Sequence, residues 1–102
     1  MEVSTGHKVI AAVFISGTGT NLNAIINSSL KKRFPIKIGL VISNNKNAYG
    51  LNYAKKNKIE TRFISSKNMK LFENKVLKLL KRKKIKLICL AGFMKILSKN
   101  FI

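Results

Sequence analysis

An open parallel sheet with helices on both faces is the fold class this sequence predicts, and three observations predict it. Two segments, Val9–Ile15 and Leu87–Ala91, are apolar at every position, the pattern of strands buried on both faces rather than on one. Between them lie segments whose apolar residues recur at helical spacing. Polar or glycine-containing loops follow the strand-like runs, and the two types of segment alternate regularly along the chain.

Taken in order, Met1–Lys8 is a polar lead-in and Val9–Ile15 the first strand. Ser16-Gly17-Thr18-Gly19 stops the strand, and Thr20 or Asn21 is placed to cap a helix carrying Leu22, Ile25, Ile26 and Leu30 on one face. Lys31-Lys32-Arg33 suits the cation-favouring last turn of that helix, and Pro35 prevents its continuation. Ile36–Ile42 reads as the second strand and Ser43–Lys46 as a loop. A helix is predicted over 47–57, with Ala48, Leu51 and Ala54 turned inward. Glu60–Ile64 is a short third strand, and Met69–Lys83 a helix with Phe72, Val76, Leu79 and Leu80 along one stripe. Leu87–Ala91 is the fourth strand, which Gly92 ends. The order β-α-β-α-β-α-β predicts a Rossmann-like α/β domain spanning residues 1–102, with right-handed crossovers. Ligands in such sheets bind beyond the carboxyl ends of the strands. With a strand order of 3-2-1-4, the loops at Gly17–Asn21 and Gly92–Leu97 face one crevice.

Composition removes several classes of function. The chain has 102 residues, a single cysteine (Cys89), a single histidine (His7) and no Asp; Glu2, Glu60 and Glu73 are its only acids. A disulfide framework, a cysteine-based zinc site, an EF-hand and a local carboxylate pair are therefore excluded, and no metal is expected. The apolar run at 9–15 is too short to span a membrane, and the lone cysteine suits a reducing cytoplasm. The net charge of +18 comes with 11 Asn and 13 Ile and only three Arg, and its lysines are scattered between apolar residues. That enrichment in Lys, Asn and Ile is what biased codon usage would produce by drift. The densest run, Lys81-Arg82-Lys83-Lys84, suits a solvated helix end and carries no interleaved aromatics for base stacking.

Two loops carry chemistry. Gly17-Thr18-Gly19-Thr20-Asn21 joins a buried strand to a helix start, where glycines let backbone N–H groups approach an anion and the helix dipole favours negative charge. It lacks the Lys-Ser/Thr of a Walker A loop. Its third dinucleotide glycine is replaced by Leu22, with no acid about twenty residues on for a ribose hydroxyl. One phosphate monoester suits it; so does a plain βα turn with a helix cap. Phe93-Met94-Lys95-Ile96-Leu97 reads either as an exposed apolar lining for a flat aromatic ligand or as a cover over the end of the sheet.

Together these segments resemble the N-terminal half of the phosphoribosylglycinamide formyltransferases, folate-dependent enzymes of purine synthesis. The resemblance rests on Ile15-Ser16-Gly17-Thr18-Gly19-Thr20-Asn21-Leu22, on Ser43-Asn44-Asn45-Lys46 with Ala48-Tyr49-Gly50-Leu51, and on Leu90-Ala91-Gly92-Phe93-Met94-Lys95-Ile96-Leu97-Ser98. It runs from about Lys8 to Ile102 and is most specific in its last motif. It implies that Gly19, Thr20 and Asn21 bind the phosphate end of 5-phosphoribosylglycinamide, that Gly92 lies beside that substrate, and that Met94, Lys95, Ile96 and Leu97 hold the pterin of 10-formyltetrahydrofolate. The folate-contacting Arg often found before the third helix falls near Met69 here, which leaves Lys67 or Lys70 to supply the charge.

The family's catalytic Asn, His and Asp belong to the half that would follow Ile102. No catalytic residue is therefore expected among residues 1–102, and His7 precedes the first strand. Formyl transfer needs donors for a tetrahedral oxyanion and a group that moves protons. The resemblance accordingly implies a formyltransferase half that is nearly inactive by itself and associates with a completing half or with itself through an uncovered edge of the first or fourth strand. A related folate-dependent transferase or hydrolase is a neighbouring reading. The alternatives from other classes are a small basic nucleic-acid-binding module, whose affinity would fall steeply with salt, and a dinucleotide binder.

Overall fold

The computed structural model describes residues 8–17, 20–93, 95 and 97. Its elements are β1 (Val9–Ile15), α1 (Thr20–Ser29), β2 (Ile36–Ser43), α2 (Gly50–Lys56), β3 (Thr61–Phe63), α3 (Met69–Arg82) and β4 (Leu87–Leu90). The four strands form one sheet in the order β3-β2-β1-β4, and all three pairings are parallel.

The core has two halves, one on each face of the sheet. Alternate β1 side chains point to opposite faces. Val13 and Ile15 pack with Leu22 and Ile26 of α1 and with Leu51 and Ala54 of α2. Ala12 and Phe14 pack with Phe72, Val76, Leu79 and Leu80 of α3. Two helices therefore cover one face and α3 the other. Each fully buried large side chain contributes roughly 1.5–3 kcal/mol, so the helical stripes read from the sequence account for most of the packing.

One irregularity keeps both faces apolar. Ala11 is level with Ile38 but Ala12 with Leu40, so Gly39 is an extra residue in β2. Strict alternation would put Ile38 and Leu40 on the same face. With the bulge, Ile38 joins the α1/α2 side while Leu40 and Ile42 join the α3 side. Gly39 is required there, because a Cβ would lie 2.6 Å from Cγ2 of Ile10.

Several boundaries differ from expectation. Leu30, expected on the inner face of α1, is 66% exposed. The helix has already ended at Ser29, whose hydroxyl donates to the Ile26 carbonyl at 2.8 Å. Lys31-Lys32-Arg33 therefore follows α1 rather than forming its last turn. The cation at that end is Lys8, whose ammonium donates to the carbonyls of Ser29 and Lys31, both at 2.9 Å. Thr20 is the first residue of α1, so the capping position falls on residue 19, outside the described residues.

The second helix starts at Gly50 rather than at Asn47. The side chain of Asn45 accepts from the Asn47 amide at 3.0 Å and its carbonyl from the Ala48 amide at 3.0 Å, which holds residues 45–48 in a turn. Ala48 is nonetheless buried, as its spacing predicts. β3 is shorter than the predicted 60–64, although backbone pairing extends to Glu60 and Ile64, which bond to Val41 and Ser43.

β1 is flanked on both sides, so of the two strands proposed as the uncovered edge it is β4 that qualifies. Expected to be buried on both faces, β4 instead leaves Leu87 and Leu90 exposed and Ile88 and Cys89 half-buried. The cause is position: among the described residues, β4 pairs only with β1.

Candidate functional site

The parallel sheet brings the ends of β1, β2, β3 and β4 to one edge, and the loops that follow them form the candidate site. β1 runs directly into Ser16-Gly17, and the amide of Gly50 donates to the Gly17 carbonyl at 3.2 Å. Thr20 and Asn21 open α1 with exposed side chains. This places backbone N–H groups of a helix start at the mouth of the sheet, the arrangement that suits an anion. Gly19 lies outside the described residues.

The loop after β4 stands beside this one. Phe14 is level with Leu90, and the Ala91 amide donates to the Phe14 carbonyl at 2.9 Å, which carries the pairing one residue past the strand. Gly92 then turns the chain with φ +77°, a conformation in which any side chain is strained. The two segments expected to share a crevice are thus adjacent on the same edge of the sheet.

Phe93 is half-buried rather than exposed. Its ring stacks on Phe72 at 5.6 Å and meets Phe14 edge-to-face at 5.4 Å, and Phe72 and Phe14 meet edge-to-face at 6.2 Å. This three-ring cluster closes the α3 half of the core at the ligand edge. Leu97 packs against the same cluster, while Lys95 is exposed. Met94 and Ile96 lie outside the described residues, as does His7.

A feature that sequence reasoning missed lies on the other side of β1. An open cleft of about 510 Å3 separates the loops after β2 and β3, lined by Asn44, Asn45, Lys46, Asn47, Phe63, Ser65, Ser66 and Lys67. Its lining holds amides, hydroxyls and two ammonium groups and no carboxylate. Met69 begins α3 directly beyond it, after an Asn68 cap whose side chain accepts from the Leu71 amide at 3.2 Å. The signal for this cleft was present in the polar strings 43–47 and 65–68, which the pattern reading could assign only to loops.

Charge is sparse on the acidic side. Glu60 meets Arg62 at 2.8 Å and also binds Lys83; the Lys83 hydrogen bond first, and then Arg62, hold its carboxyl below the ordinary range. Among the described residues, no three His, Cys, Asp or Glu side chains cluster, and no helix is long and apolar enough to cross a membrane.

A four-stranded parallel sheet with helices on both faces, and the Gly17 loop beside the Gly92 turn, defines a Rossmann-like α/β domain, and comparison with known proteins identifies its family. The formyl transferase family model matches residues 9–102; the chain belongs to that family. Over 99 residues it is 46% identical to the trifunctional purine biosynthetic protein adenosine-3 of Gallus gallus, covering 94% of this chain and 10% of that protein. Over 93 residues it is 41% identical to the phosphoribosylglycinamide formyltransferase of Haemophilus influenzae, covering 88% of this chain and 44% of that one. Solved phosphoribosylglycinamide formyltransferases superpose with it. That of Coxiella burnetii has a TM-score of 0.83 at 41% identity, covering 92% of this chain and 46% of that one. That of Brucella melitensis has a TM-score of 0.88 at 33% identity, covering 92% and 50%. The chain therefore spans about half the length of these single-function relatives and about a tenth of the trifunctional one.

Proposed function

We propose that this chain supplies the phosphate loop and part of the folate pocket of a phosphoribosylglycinamide formyltransferase. In this reading the formyl group of 10-formyltetrahydrofolate passes to the amine of 5-phosphoribosylglycinamide, in the cytoplasm. The observation that carries the reading is the adjacency of the β1 and β4 loops, locked by the Ala91–Phe14 backbone bond. Backbone N–H groups at Gly19, Thr20 and Asn21 receive the phosphate, the side chains of Thr20 and Asn21 add donors, and Gly92 gives the substrate a close backbone approach. Met94, Lys95, Ile96 and Leu97 receive the pterin. Lys67, on the cleft before α3, is the better placed of the two lysines to supply the charge that Met69 lacks.

The reaction asks for more than binding. The amine attacks the formyl carbon, and the tetrahedral oxyanion needs donors and a group that shuttles protons. The chain holds no Asp and one His, which precedes β1. That chemistry therefore falls to a segment outside these residues, and this chain alone turns over several powers of ten more slowly than a full-length relative. The side of β4 that has no strand among the described residues, with Leu87 and Leu90 exposed, offers the edge on which a completing half or a second copy is seated.

Calorimetric titration with glycinamide ribonucleotide tests the cradle. Thr20→Ala and Asn21→Ala should each weaken binding by roughly tenfold, about one charge-assisted hydrogen bond. Unchanged affinity in both variants discredits it.

A further inference from the structure

We infer that Asn44 is a positioning residue that holds the Ser16–Gly17 backbone in shape, and with it the ligand loop that follows β1. The sheet register sets this up. Ile15 is level with Ser43, so the next residues of β1 and β2, Ser16 and Asn44, emerge side by side. Ser43 is in turn level with Phe63, which brings the chain after β3 to the other side of Asn44.

The Asn44 amide uses both of its ends across this gap. Its Oδ1 accepts from the Ser16 hydroxyl at 2.7 Å, and its Nδ2 donates to the Ser66 hydroxyl at 2.9 Å. Ser66 is buried and Asn44 half-buried, so water competes weakly for these bonds. A short side chain carrying both an acceptor and a donor suits this bridge between two hydroxyls. Two further bonds reach the same stretch from the β2–α2 connection: the Asn45 Nδ2 donates to the Ser16 carbonyl at 3.4 Å, and the Gly50 amide to the Gly17 carbonyl at 3.2 Å. Three loops from three strands are thereby tied at one point, four residues before Thr20. Asn44 acts through Ser16 and is not assigned a contact with substrate.

The substrate arm of the test rests on the proposed function; the exchange arm does not. Amide hydrogen exchange in the unliganded chain should speed up by roughly tenfold in Asn44→Ala at Gly50, whose amide donates to the Gly17 carbonyl, the loss of about one net hydrogen bond. Ser66→Ala, a milder change that leaves the Ser16 contact, should give a smaller increase at the same amide and serves if Asn44→Ala does not fold. Asn57→Ala removes a comparable amide contact, from its Nδ2 to the Tyr53 carbonyl at 2.9 Å, and should leave the Gly50 amide at the wild-type rate. Glycinamide ribonucleotide affinity should fall about tenfold in Asn44→Ala, and the Ser16→Ala/Asn44→Ala double variant should lose no more than the larger single loss. Wild-type exchange at Gly50 in both Asn44→Ala and Ser66→Ala overturns the inference, as do single losses that multiply in the double variant. If the wild-type chain binds no glycinamide ribonucleotide, the substrate reading fails, and the exchange arm still decides the role of Asn44.

Discussion

β1 and β4 look alike as sequence and behave differently as structure. Both are unbroken apolar runs, yet Ala11–Ile15 are completely buried whereas Leu90 is 56% exposed. The difference is neighbours: β1 lies between β2 and β4, and β4 has a strand on one side among the described residues. Apolarity on both faces states that a strand is suited to burial; it does not state how many of its sides are covered. The same contrast separates the two ligand loops. The β1 loop is tied from α2, β2 and β3, while the β4 loop leans on its own ring, Phe93, wedged against Phe14 and Phe72.

The sharpest way to break this comparison is to truncate one residue in each strand. Phe14→Ala should cost about 3–5 kcal/mol in denaturant unfolding, because it empties the centre of the three-ring cluster. Leu90→Lys should stay within about 0.5 kcal/mol and reduce self-association in sedimentation, since lysine on an edge strand blocks further pairing. Equal costs at the two positions would mean that β4 is as enclosed as β1.

A second variant sharpens the comparison by testing how the chain arrives at β4. Lys84, just after α3, has φ +57°, and the Ile85 amide reaches back to the Leu80 carbonyl at 2.9 Å. This is a helix ending that favours glycine. Lys84→Gly should raise stability by about 1 kcal/mol, the cost of a left-handed non-glycine residue; a lower melting temperature would contradict it. Lys58, with φ +60° after α2, is the parallel case.

The smallest expected effect is electrostatic and concerns the opposite edge of the sheet. Glu60 is held below the ordinary carboxylate range by Lys83 and Arg62. A lowered folded value stabilises the protein above the unfolded carboxylate pKa, about 4.3, and that contribution disappears as pH falls through the folded value. Because these groups are partly exposed, it amounts to under about 1 kcal/mol. The difference between wild-type and Glu60→Gln unfolding curves should shrink below pH 4 and in high salt; a difference constant with pH would remove the ion pair from the account.

Much of this was legible in the residues because the signals are local. The alternation of runs and the stripe Phe72, Val76, Leu79 and Leu80 follow from periodicity; the strand order 3-2-1-4 enters as a condition, which the sheet meets. The adjacency of the Gly17 and Gly92 loops then follows from the strand order. What misled the reading was competition between nearby partners: Lys8, 21 residues from Ser29, took the helix end assigned to Lys31–Arg33, and an Asn45 turn delayed α2 to Gly50. The residues leave Phe93 open between a pocket lining and a cover, because nothing local reveals that two other rings await it.

By itself, the amino-acid order determined which segments are strands, which are helices, and that glycine-bearing turns close the strands, since each depends on residues within one or two turns of each other. Tertiary structure alone decided that Gly39 must be a bulge, that Asn44 bridges Ser16 and Ser66 across three loops, and that β4 stands at an edge. Those outcomes depend on which strands become neighbours and in what register, and contacts made across 20 or more residues leave no period in the chain to be read.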